Sequence, residues 1–443
     1  MPSSFDNIHP DLSQADALRI LLIPVNELEL MSDYYMAASH LINFPGKETE
    51  EALIRLLEKD SQEQAVIIAR RKAVDVLARL GCKNAIASIG NCLQSQDRYL
   101  VENAAWALQQ LVCDSIELHR TMIGLLRDPS QNRRVLIQSL AALDVKEALS
   151  EIEILVDDDD PGVRGAVLSA LARLDDQRDR LNELQAYLML PNQMNRQSAI
   201  QDIIDCDCFD LLGAVLRSPV SPVFRMRAVT SLWPNGVTHH HGLNLIEVLD
   251  GLLLDDPDRL TLVHQYDQSP ANEFLVQEFF GTDFSRCYLA LKTLRDRCAE
   301  EIWPILEQKW HDEAHNDYAA HYFFIKLFGS RTDWPAPAKG LIQKIVGNAV
   351  DNRRPQFVKS RPAAILSMST LNPEAFKEDF KRLISAQEET FWQCRYAALL
   401  AFQKFVDLPD WQEACGQIST AENDPSQYVS AKAFCLKSIL LEK

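Results

Sequence analysis

Apolar side chains along this chain recur at i, i+3 and i+4, a period that lines them up on one face of a helix. The pattern is plain in residues 50–59, 116–127, 147–156 and 243–254, and strand-like alternation is nearly absent. Helices of a second kind lie between these segments. Their template is Asp157-Asp158-Asp159-Asp160-Pro161-Gly162-Val163-Arg164-Gly165-Ala166-Val167-Leu168. It reads as an acidic turn, a proline suited to a first helical position, and an arginine two residues before a small residue. The matching small or apolar positions are Ala73, Ala105, Val135, Ala166 and Ser198, a spacing of about 30 to 32 residues. The register reaches Ala228, skips 258–275, lands at Tyr288 and Tyr318, and resumes near Ala363, Ala397 and Ala431.

Each unit is therefore a helical hairpin of about thirty residues. A lone hairpin cannot bury its apolar stripe, whereas stacked hairpins share one core and a small rotation per unit curls the stack. The expected fold is all-α: a right-handed α-solenoid superhelix with a concave groove. Residues 233–241, 255–272 and 330–337, rich in Pro, Gly, Asn and His, read as connections. The array thus divides into N-terminal repeats (1–232), an irregular connection (233–275) and C-terminal repeats (276–443) within one continuous solenoid. The template arginine is expected to reach the acidic turn of its own or a neighbouring unit, as Asp160 and Arg164 suggest.

Charge narrows the function. Across 443 residues, 45 Lys and Arg face 63 Asp and Glu, a net charge of −18, which disfavours nucleic acid as a partner. No eighteen-residue apolar run appears and residues 1–12 carry no export signal, so the reading is a cytoplasmic protein without a membrane span. Ten cysteines include one close pair, Cys206-x-Cys208, and no C-x-x-C knuckle. Neither a zinc site nor a disulfide framework is expected, and the thiols read as small buried side chains. Glycine-rich phosphate loops and dinucleotide fingerprints are missing too.

The densest run of chemistry-bearing residues is Trp310-His311-Asp312-Glu313-Ala314-His315-Asn316-Asp317-Tyr318-Ala319-Ala320-His321-Tyr322. On one continuous helix, His311, His315, Tyr318 and Tyr322 would share a face, with Asp317 and His321 beside it. Tyr318 stands where other units carry a small residue, so its ring either fills a core gap or opens onto the groove. A second set, Glu278, Asp283, Arg286, Cys287 and Tyr288, lies on the preceding unit. His239-His240-His241, beside Gly236 and Gly242, reads as a solvated loop.

The repeat of residues 157–174 resembles the short HEAT-like repeat of phycobilin lyases. Val101-Glu102-Asn103-Ala104-Ala105-Trp106-Ala107-Leu108 resembles the alanine- and tryptophan-containing helix of their E/F clan. The resemblance spans about 50–438 and is greatest to the single-chain cyanobacterial members that act on phycoerythrin as lyases or lyase-isomerases. It implies an enzyme that joins phycoerythrobilin, its substrate, to a cysteine of an apo phycoerythrin subunit, the alpha subunit first, with no resident cofactor and no metal. In some such members isomerisation to phycourobilin follows. Two-chain lyase-isomerases carry an Asn-His-Cys-His signature that His239-His240-His241 does not match.

The resemblance also suggests roles. The acceptor protein supplies the nucleophilic thiol, so the lyase needs a cleft, a carboxylate for pyrrole N–H groups, cations for two propionates and a proton donor or acceptor. Tyr318 becomes the proton donor, with Asp317 or His315 positioning the bilin. Trp106, Arg286, Tyr288, Tyr322 and His311 become substrate-binding residues, with Arg70, Arg164 and Arg225 as further propionate partners. Cys287 is either buried packing or a transient bilin carrier. The competing reading is a non-catalytic HEAT-repeat scaffold or chaperone for a protein partner.

Overall fold

A computed structural model describes His9 and residues 11–408 and 411–441. Most of the N-terminal segment inspected for an export signal lies outside them. The chain forms two compact units, Met1–Leu181 and Asn182–Lys443; residues 233–275 fall inside the second. No helix among the described residues is long and apolar enough to cross a membrane.

In the first unit, helices Asp33–His40, Gln64–Arg79, Arg98–Gln110, Arg133–Ala142 and Pro161–Asp175 pack side by side in chain order. Helices Lys47–Leu57, Ile86–Asn91, Ile116–Leu125 and Leu149–Glu153 each pack on the repeat helix that follows. The expected hairpins are therefore present, and stacking joins their stripes into one core. Short polar side chains start the repeat helices by accepting bonds from first-turn amides: Asp97, Asn132, Asp160 and, in the second unit, Asn192, Asp283 and Asp317.

The arginine ladder exists. Arg71 forms a bidentate pair with Asp97 at 2.7 and 2.8 Å, and Arg133 reaches Asp158 at 2.9 Å, each bond leading to the next unit's turn. Arg164 donates to the backbone carbonyls of Asp158 and Asp159, in the acidic turn of its own unit, while Asp160 accepts from the Gly162 amide at 2.8 Å. Ala166 is 1% exposed between neighbouring helices. Ala166→Leu is expected to overpack this seam and cost about 1–3 kcal/mol, read as a lower urea midpoint; unchanged stability would show that the repeat register is wrong.

The second unit repeats the plan through Phe284–Arg295, Tyr318–Gly329, Ser360–Leu371, Trp392–Phe402 and Gln427–Leu441. Gly329 permits a close approach: a Cβ there would fall on the Ser367 side chain and 2.8 Å from its Cα. Helix Leu245–Leu254 departs from the simple hairpin, touching three late repeat helices, Ser360–Leu371, Trp392–Phe402 and Gln427–Leu441, as well as Pro222–Leu232. Two acids explain its reach. Asp250 accepts from Tyr396 at 2.9 Å and from Lys432 at 2.8 Å, and Asp255, its C-cap, binds two further tyrosines. The histidine string is not a plain loop: His239–His240 pairs with Leu243–Asn244 in a two-residue hairpin. Its turn is made by His241 and Gly242, both at positive φ.

Candidate functional site

The residues chosen from sequence separate into three environments. Trp106 lies in the first unit, half-buried, on an open groove of about 350 Å³ with Tyr35, Ile68, Arg71, Lys72, Asp75 and Asn103. Its ring both lines that groove and packs against the core of the unit. The cations there are already paired, Arg71 with Asp97 and Lys72 with Asp75 at 2.6 Å.

Tyr288 and Tyr322, offered as substrate contacts, form instead a buried polar centre in the second unit. Asp255 is 1% exposed and faces Arg225, which is 2% exposed. Tyr288 donates to Asp255 at 2.8 Å and lies 2.9 Å from the Arg225 guanidinium; the Tyr322 hydroxyl also bonds to Asp255. Burial and then the Asp255 charge push both phenols well above their ordinary range, so both remain donors. Burial alone would raise the Asp255 carboxyl, but Arg225, Lys326 and the Tyr322 hydroxyl hold it below its ordinary 3.8. These tyrosines are therefore structural. Each is the fifth residue of its helix, so the counterpart of Tyr288 is Tyr322 and not Tyr318.

The third environment is the start of the Tyr318 helix. The single helix face expected for His311, His315, Tyr318 and Tyr322 does not form. Residues Trp310–Ala314 make a π-helical turn, the chain turns at His315 and Asn316, and Asp317 caps a new helix beginning at Tyr318. His311 is exposed on the π-turn, outside the helix that Asp317 caps. His321 packs between Trp310 and Phe357, with ring centroids 5.2 and 4.5 Å away. Burial, then Lys359 and Arg354, lower it to about 4 and keep it neutral.

Asp317 and Tyr318 stand at the start of the new helix, and His315 lies in the turn two residues before the cap. Asp317 takes both capping bonds, from Ala319 at 2.9 Å and Ala320 at 2.8 Å, on Oδ1. Its Oδ2 has no donor among the described residues. His315 Nδ1 lies 3.0 Å from the Trp310 carbonyl, which only accepts, so Nδ1 is the donor in that bond. Tyr318 is 50% exposed, with its ring under the Lys359 ammonium at 4.8 Å. A carboxylate, an imidazole and a phenol thus lie within four residues of chain at one helix start, and each is a group able to give or take a proton.

Arg286 lies 3.9 Å from Glu278. Arg164 and Arg225 are occupied by the backbone and by Asp255. Cys287 is fully buried against the carbonyls of Glu278 and Asp283, both at 3.2 Å, and burial pushes its thiol strongly upward. Such a thiol cannot carry a bilin.

Sequence reading missed Asp255, although it follows Arg225 by one repeat length, and Lys359, although it stands in a basic run with Arg353, Arg354 and Arg361.

Three comparisons bear on this geometry. The HEAT-repeat family matches residues 120–204. The chain is 43% identical to the bilin biosynthesis protein CpeY of Synechococcus sp. (strain WH8020), over 92% of this chain and 97% of that one. It is 35% identical to the uncharacterized phycocyanin operon protein Y of Pseudanabaena tenuis (strain PCC 7409), over 91% and 94%. Among solved structures, a chain of the CpcE and CpcF complex of phycocyanin lyase from Nostoc sp. PCC7120 aligns at 22% identity with a TM-score of 0.47, covering 57% of this chain and 98% of that one. Identity sustained over nearly the full length of both sequences, on a frame of stacked helical repeats, establishes that the chain belongs to the E/F-clan phycobilin lyase family.

Proposed function

We propose that this protein is a cytoplasmic phycobilin lyase that attaches phycoerythrobilin to a cysteine of a phycoerythrin subunit, the alpha subunit first, with the bilin as substrate and no resident cofactor. The acceptor sulfur bonds to the outer ethylidene carbon, the exocyclic double bond opens, and a proton enters at the neighbouring ring carbon, so no other reagent is consumed. Moving a further proton within the bound bilin gives phycourobilin, a second activity served by the same acid and base. The carrying observation is the exposed Tyr318 phenol beside Asp317, whose Oδ2 is unused by the protein. Asp317 holds pyrrole N–H groups, Tyr318 supplies the proton, and His315 accepts one.

Co-expression with a phycoerythrobilin pathway and apo phycoerythrin α and β subunits tests this, read by absorption of the denatured subunits. A covalent phycoerythrobilin spectrum is expected, and a phycourobilin spectrum would add the isomerase. With folded partners, the absence of any covalent product would favour the scaffold reading. Tyr318→Phe removes one hydroxyl from a half-exposed ring, so its melting should match the wild type while ligation falls on the order of 10²-fold. Wild-type yield and colour from that variant would sink the assignment.

A further inference from the structure

Carboxylates outnumber cations in this chain, and four arginines at helix ends of the second unit are paired with them: Arg196 with Asp283, Arg225 with Asp255, Arg361 with Glu389 and Arg395 with Asp424. Two neighbouring cations break the pattern. Lys359 lies over the rings of Phe284, Tyr318 and Tyr322, with its Nζ 4.7, 4.8 and 5.4 Å from their centroids. Arg354 rests on Phe357 at 5.0 Å and donates to the Asn316 amide oxygen at 3.0 Å. Among the described residues neither has a carboxylate within ion-pair distance. Ring faces attract a cation but accept no strong hydrogen bond, and amide oxygens are neutral acceptors that a carboxylate outcompetes. Both side chains border the Asp317–Tyr318 helix start, Lys359 through Tyr318 and Arg354 through Asn316.

We infer that Lys359 and Arg354 form a two-point carboxylate clamp that takes the two propionates of a linear tetrapyrrole dicarboxylate and sets it against Asp317 and Tyr318. The inference rests on the lyase reading of this helix start. Burial among the rings lowers the Lys359 ammonium to about 8, and Asp317 and Asp255 only partly offset that, so a bound carboxylate supplies the counter-charge it lacks. Neutral His321 does not compete for the ligand.

The purified full chain is titrated with phycoerythrobilin and with its propionate dimethyl ester, by bilin absorption and fluorescence. The wild type should bind the diacid about tenfold or more tightly than the ester. Lys359→Met keeps an unbranched apolar stem in the cage and should lose most of that preference, Lys359→Arg should restore part of it, and the Lys359→Met/Arg354→Met double variant should bind both ligands alike. Circular dichroism and melting confirm that each variant is folded. Equal wild-type affinity for diacid and ester would overturn the clamp and leave the lyase reading standing, whereas no binding of either would overturn both. Variants that bind free bilin like the wild type but lose affinity for the apo subunit would also overturn the clamp, assigning the cations to an acidic protein surface.

Discussion

Replacing Asp255 by asparagine is expected to cost about 3–5 kcal/mol of folding stability, because it leaves the buried Arg225 guanidinium without its counter-charge. Asparagine is the informative replacement. Asp255 occupies a left-handed conformation, φ +42°, at the end of helix Leu245–Leu254, which asparagine also tolerates, so the loss reports charge and not backbone strain. The carboxylate ties Pro222–Leu232 to Phe284–Arg295 and Tyr318–Gly329 through Arg225, Tyr288 and Tyr322. Tyr288→Phe, which removes one of these donors, should cost only about 1 kcal/mol. Urea denaturation followed by circular dichroism provides the comparison, and an Asp255→Asn loss no larger than that of Tyr288→Phe would show that the centre is not desolvated.

The same centre predicts an acid response. The folded carboxyl of Asp255 is depressed below its ordinary value. Its contribution is therefore complete above the unfolded value of about 4 and is lost as pH falls through the lower folded value. Below about pH 4 the wild type should lose stability more steeply than Asp255→Asn, which has no carboxyl to protonate at that position.

Arg361→Met should be comparably damaging, by about 3–5 kcal/mol, since Glu389 is then buried without its partner. Arg361 is 4% exposed and Glu389 1%. The guanidinium meets both carboxylate oxygens, one at 3.0 Å, and also donates to the Val350 carbonyl at 2.9 Å. A buried pair returns little net stability once its desolvation is counted, so the double variant Arg361→Met/Glu389→Met should recover most of the single loss. A single variant within about 1 kcal/mol of wild type, or a double variant as weak as the single, would reject this account.

These effects mark where local pattern stops carrying information. The capped repeat helices, the seam at Ala166 and the turn at Asp160-Pro161 follow from contacts between residues a few positions apart, and all could be read along the chain. The ladder was legible as well: Arg71 reaches Asp97 in the next unit's turn and Arg164 the carbonyls of its own, as periodicity suggests. At the candidate site, Asp317, His315 and Tyr318 were found because they are neighbours in sequence, but helical spacing also drew in His311 and Tyr322. The π-turn and the new cap at Asp317 break that face, since a capping carboxylate ends one helix register and starts another.

By itself, then, the sequence determined an all-helical array of hairpins, its repeat length, its capping residues and the family to which it belongs, because each is written in short-range periodicity or in overall similarity. Only the tertiary structure decided that Tyr288 and Tyr322 serve Asp255, that Cys287 is sealed, and that Lys359 lies among three rings with no carboxylate at ion-pair distance among the described residues. Those outcomes depend on which side chain is desolvated beside which charge, and the partners come from helices far apart in the chain. Burial and pairing of that kind are set by packing, which no local period encodes.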